Sequence, residues 1–127
     1  MNVALDTNAY SDFLRGVESR VAVVRAAERI HLPLIVIGEL RAGFAAGSRE
    51  MENLATLESF LSRPRVSVLR LDEETTEHYA KIFLRLRNKG VPIPTNDLWI
   101  AALAVQHGLD LCTSDAHFRE VDGLGLC

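Results

Sequence analysis

A chain of 127 residues, 48% hydrophobic and 24% charged, has room for one domain and no second core. A formal net charge of −3 excludes a generic basic nucleic-acid coat, and no apolar stretch approaches the ~20 residues of a membrane helix. Two cysteines, Cys112 and Cys127, suggest no disulfide framework; with no basic, apolar leader, the expected compartment is the reducing cytoplasm.

Asn2 to Leu5 reads as a short buried strand, and Thr7 to Leu14 as a helix ending near Gly16. Val21, Val24 and Ala27 suit a helix over about Ser19 to Arg29. Leu32 to Ile37 reads as a second strand, with Pro33 tolerable near its beginning. Glu39 then opens a helix that stops between Gly43 and Gly47. Met51, Leu54, Leu57 and Leu61 share one helical face, closed by Pro64. Val66 to Leu69 is a third strand.

Asp72 caps the next helix, in which Tyr79, Ile82, Phe83 and Leu86 repeat the i, i+3, i+4, i+7 pattern. Gly90 to Pro94 is a stiff connector. From Thr95 or Asn96 the chain is apolar almost all round up to Gly108, which marks a buried helix. Leu109 to Cys112 is a fourth strand, and Val121 to Leu126 a possible fifth. Strands alternating with helices imply an α/β domain, a central parallel sheet flanked by helices.

Four carboxylates lie at the boundaries of these apolar segments: Asp6, Glu39, Asp97 and Asp115. Parallel sheets bind ligands beyond the carboxyl ends of their strands, so acids following neighbouring strands share one crevice. Each aspartate also has a plain reading as a helix cap; Glu39 fits that reading less well. Collectively, capping explains less. Carboxylates about 4 Å apart repel by about 4 kcal/mol per pair at an effective dielectric of 20. A fold gathers several where a hard cation such as Mg²⁺, or Mn²⁺, compensates them, and such an ion serves phosphodiester hydrolysis.

The chain resembles PIN-domain nucleases, specifically VapC-type toxins of toxin–antitoxin pairs. The resemblance rests on Leu5-Asp6-Thr7-Asn8, Ile37-Gly38-Glu39-Leu40, the run from Gly90 through Asp97 to Ala102, and Leu111 to Phe118 with its Thr113-Ser114-Asp115. It implies a three-layer PIN-like fold over residues 1–127 and a Mg²⁺- or Mn²⁺-dependent endoribonuclease with the four acids lining the metal site. It also implies a homodimer and inhibition by a small cognate antitoxin.

Around the acids, Thr7, Asn8 and Thr113 are candidates to orient the carboxylates or metal waters, against a helix-start role. Arg15, Arg41 and Arg85 are candidate RNA contacts, although most such arginines are solvated helix residues. His117 reads as an ordinary loop residue, and Trp99 as packing rather than a base-stacking platform. Two rival readings are a PIN nuclease of RNA processing without an antitoxin and a receiver-like Mg²⁺-binding signalling module. A receiver would carry paired acids after its first strand and a Lys after a late strand; here Asp6 stands alone and Lys89 precedes the Asp97 helix.

Overall fold

The computed structural model describes residues 1–127. Its elements run β1 (Asn2–Leu5), α1 (Thr7–Leu14), α2 (Glu18–Ala26), β2 (Arg29–Pro33), α3 (Leu34–Ala46), α4 (Glu50–Leu61), β3 (Val66–Leu69), α5 (Glu73–Lys89), α6 (Thr95–Gln106) and β4 (Asp110–Cys112), followed by a 3-10 turn over Ala116–Glu120. The four strands form one sheet in the order β3-β2-β1-β4, and every pairing is parallel.

Successive residues of a strand face opposite sides of the sheet. In β1, Val3, Ala4 and Leu5 are all at most 1% exposed, so both faces are covered. That is the burial of a parallel sheet between helical layers. The apolar side chains form one cluster of 29 buried residues. α6 lies within it, with Leu98 and Ile100 through Ala104 all buried. Its alanines let neighbouring elements approach closely, and burial on several sides accounts for the apolar run from Leu98 to Val105.

Helix ends follow local chemistry. Asp6 caps α1 through the Ala9 amide at 2.8 Å. Asp72 caps α5 through the Thr75 amide, and the Thr75 hydroxyl accepts from the Asp72 amide in return, a capping box. α5 ends at Gly90, whose φ of +75° is a left-handed conformation that side chains with a Cβ rarely adopt.

Three expectations fail. The strand expected over Leu32 to Ile37 is instead β2, which ends at Pro33, followed at once by α3. A short apolar run is ambiguous between strand and helix. What decides it is the continuation of Val36, Ile37, Leu40 and the partly buried Phe44 along one helical face. Glu39 therefore stands inside a helix rather than at a strand end.

The fifth strand is absent as such. After the 3-10 turn the chain returns to make one parallel bridge, Leu111 to Leu126, with Leu111 N–H donating to Gly125 O at 2.8 Å. That return also overturns the expectation of two unlinked cysteines. Cys127 N–H donates to Leu111 O at 3.0 Å, which sets Cys127 beside Cys112 with a Cα separation of 4.6 Å, and the two are joined as a disulfide. The cysteine count thus gives no argument for a reducing compartment.

Candidate active site

β1 and β4 are adjacent, with Leu5 paired to Cys112, so the residues that follow them emerge side by side. Asp6 N–H donates to Cys112 O at 3.3 Å, and the Thr113 hydroxyl donates to Asp6 Oδ2 at 2.5 Å. The other oxygen of Asp6 accepts from the Ala9 amide. Capping and site duty therefore coincide in one carboxylate: Oδ1 holds the start of α1, and Oδ2 is held by β4's next residue. Asp6 is 3% exposed, one of only two polar residues in the buried set.

Asp115 takes the N-cap position of the 3-10 turn but caps nothing with its side chain. Its amide donates instead to Thr113 Oγ1 at 3.0 Å. One threonine thus fixes Asp6 and orients the backbone of Asp115, leaving the Asp115 carboxylate available to the crevice. Asp97 sits in the first turn of α6, where Pro94 holds the cap position, so it too is not a cap. Glu39 reaches in from the second turn of α3. The Thr7 hydroxyl donates to Glu39 Oε1 at 2.7 Å, and Asn96 Nδ2 lies 3.5 Å from Oε2.

Asp6, Thr7, Asn8, Glu39, Asp97, Ile100 and Asp115 together line one crevice of about 210 Å³. All four sequence-designated acids meet there, at the carboxyl end of the sheet. Thr7 and Thr113 hydrogen-bond to acids; Asn8 lines the crevice without a side-chain bond. Arg15, Arg41 and Arg85 do not line it. Arg15 pairs instead with Asp12, one turn back along α1.

Burial pushes the Asp6 carboxyl above its ordinary 3.8, and nearby Asp115 adds to the rise; Thr113, the Ala9 amide and Arg20 draw it back. Burial likewise raises Asp97, with His117 opposing and Glu39 and Asp115 reinforcing the shift. Both aspartates register the mutual repulsion of a carboxylate cluster.

Two residues gain importance from the fold. His117 Nε2 lies 2.8 Å from Asp97 Oδ2, within ion-pair distance. Ligand atoms of Asp97, Asp115 and His117 lie within 4.8 Å of one another. His117 is thus no ordinary loop residue; its place two positions beyond Asp115 was the available hint. Arg20, on α2, donates to Ser114 Oγ at 3.0 Å, and nothing in its local sequence foretold that. Trp99 stacks on Tyr79 with ring centroids 4.1 Å apart, a packing role as expected.

Compared with known families, residues 3–124 match the PIN domain. The chain belongs to the PIN-domain family. This PIN domain is 30% identical to Ribonuclease VapC5 of Mycobacterium tuberculosis over 122 residues, covering 94% of this chain and 87% of that protein. Among solved structures it is similar to VapBC-1 from nontypeable Haemophilus influenzae, with a TM-score of 0.88 and 27% identity, covering 100% of this chain and 97% of that one. VapBC2 from Rickettsia felis, bound to a DNA fragment from their promoter, aligns with a TM-score of 0.85 and 25% identity over 100% and 98% of the two chains. Membership of this family sets aside the receiver-like alternative. No helix is long and apolar enough to cross a membrane.

Proposed function

We propose that this PIN domain is a divalent-metal-dependent endoribonuclease, the toxin of a VapBC-type toxin–antitoxin pair. The observation that carries the reading is the meeting of Asp6, Glu39, Asp97 and Asp115 in one crevice, in a chain similar to VapC ribonucleases. The antitoxin partner is supported by the likeness to VapBC complexes. A cytoplasmic site of action and a homodimer belong to the same family reading.

The donor set suits a hard cation. The four acids offer only oxygen, and their mutual repulsion is what a bound cation relieves. Asp6, Glu39, Asp97 and Asp115 would hold Mg²⁺, or Mn²⁺ on the same oxygens. When bound, such an ion supplies Lewis-acid polarisation of the phosphoryl group and a water activated for attack.

The protein's own part is to keep these carboxylates still. Asp6 is pinned through both oxygens, by the Ala9 amide and the Thr113 hydroxyl. Glu39 is held by Thr7, and the first turn of α6 fixes the origin of Asp97. Such outer partners fix ligand orientation and are typically worth 10–100-fold in metal affinity or activity.

The deciding experiment incubates purified protein with total cellular RNA and Mg²⁺ or Mn²⁺, against EDTA and Asp97→Asn. Cleavage that depends on the metal and on Asp97 is expected. Cleavage unchanged by both controls overturns the reading.

A further inference from the structure

The acidic crevice adjoins a second depression. Asp115 lines both, and beyond it lies a hollow of about 260 Å³ whose other polar lining includes Arg20, Thr113, Ser114 and Arg119. The sign of the charge reverses across Asp115: carboxylates on one side, two guanidinium groups on the other.

Arg20 is held in place. Nη1 donates to Cys127 O and Nη2 to Ser114 Oγ, each at 3.0 Å. Cys127 is itself anchored by the disulfide to Cys112 and by its amide bond to Leu111 O. Ser114 Oγ is a neutral acceptor, and neither Arg20 nor Arg119 forms an ion pair with an Asp or Glu side chain, unlike Arg15 and Arg49. Two of the five guanidinium N–H donors of Arg20 are used, so three remain, already oriented. A guanidinium held in this way suits phosphate because its planar fork matches the anion and little rotamer freedom is lost on binding.

We propose that Arg20 and Arg119 bind a backbone phosphate flanking the scissile one on single-stranded RNA. The inference rests on the ribonuclease reading above, which puts the scissile phosphate over the carboxylates. An RNA strand running past Asp115 then lays its next phosphate in the basic hollow. Arg20 and Arg119 are substrate-binding residues here; the carboxylates alone repel RNA.

The test measures kcat and KM for a single-stranded RNA oligonucleotide with Mg²⁺, across a salt series, for wild type, R20Q, R119Q and R25Q. Arg25 is a charge-matched control on the same helix, about 140° around it from Arg20. R20Q and R119Q should each raise KM about 10-fold, with smaller changes in kcat. Each should also flatten the slope of log kcat/KM against log salt by about 0.7, the share of one phosphate contact on a single strand. R25Q should match wild type. R119Q keeps the test open if R20Q misfolds, because the Arg119 side chain makes no hydrogen bond in the fold. Wild-type KM and salt slope in R119Q and in folded R20Q, or a fall in kcat alone, overturn the inference while leaving the nuclease reading intact. A wild-type protein that cleaves no RNA overturns both.

Discussion

Asp6 and Asp72 are written alike and used differently. Each is an aspartate at a helix N-cap, and each accepts a hydrogen bond from the amide three residues on. Asp72 lies at an open corner. The Gln106 amide donates to it at 2.8 Å, and with the Thr75 amide it holds the carboxyl below its ordinary value. Asp6 lies under the carboxyl end of the sheet, where burial and Asp115 push it up. The same local motif thus stabilises a helix in one place and contributes to a strained carboxylate cluster in the other. Depth and company decide, not the cap.

The largest break in this parallel is in catalysis. Asp97→Asn, which keeps shape but removes a cluster charge, should lower metal-dependent RNA cleavage by more than about 10²-fold, beyond what outer partners are worth. Asp72→Asn should leave cleavage at the wild-type rate in the same assay. Loss of cleavage on changing Asp72 would dissolve the distinction between the two sites.

Thr113 sharpens the contrast, because it is the residue that makes Asp6 more than a cap. Thr113→Val removes the donor to Asp6 Oδ2 and the acceptor for the Asp115 amide. A fall of about 10–100-fold in activity or Mg²⁺ affinity is expected, with Thr113→Ser largely restoring it. If valine and serine behave alike, the hydroxyl does not position the acids.

A third difference lies in pH. Asp6 and Asp97 are raised in the folded protein, so folding favours their protonated forms. Their stabilising contribution is complete below about pH 4 and is lost as pH rises through their raised values. Asp72 is lowered, so its contribution is present above the ordinary value of 3.8 and is lost as pH falls through the lowered one. Metal-free Asp97→Asn should therefore be more stable than metal-free wild type at pH 7, and the gap should close near pH 3.5. Urea denaturation at both pH values measures this. Mg²⁺ at about 100 times its Kd should add about 2.7 kcal/mol to wild type and much less to the variant.

The smallest effect is expected at Tyr10, on the buried face of α1. Its hydroxyl is buried without a hydrogen-bond partner, while its ring meets Phe60 edge-on at 5.3 Å. Tyr10→Phe should leave stability unchanged or raise it by up to about 1 kcal/mol, and leave cleavage untouched. A clear loss of stability would mean the hydroxyl has a partner.

Much of this arrangement was legible beforehand because it is locally encoded. α1 runs over Thr7–Leu14 as expected, since Asp6 caps it and Gly16 follows its end. β3 and the apolar body of α6, Leu98 to Val105, follow from their own side chains. The four acids were visible because they interrupt or adjoin apolar runs of the sequence, although Glu39 proves to lie inside α3 and not at its boundary. Leu34 to Ile37 misled because four apolar residues fit a strand or a helix equally well, and only burial along α3 as far as Phe44 separates them. The approach of His117 to Asp97 was harder to see, since it crosses from a 3-10 turn to α6.

The order of residues by itself determined the kinds of groups available, the helix caps, the buried strands and the four acids set among apolar segments, because these depend on neighbours in the chain. Tertiary structure decided which of those groups meet. Pairing Leu5 with Cys112 sets Asp6 beside Thr113, and the return of the last residues to Leu111 brings Cys127 to Cys112 and gives Arg20 an anchor. Contacts between residues more than 100 positions apart depend on sheet register and packing, and no local pattern in the chain records them.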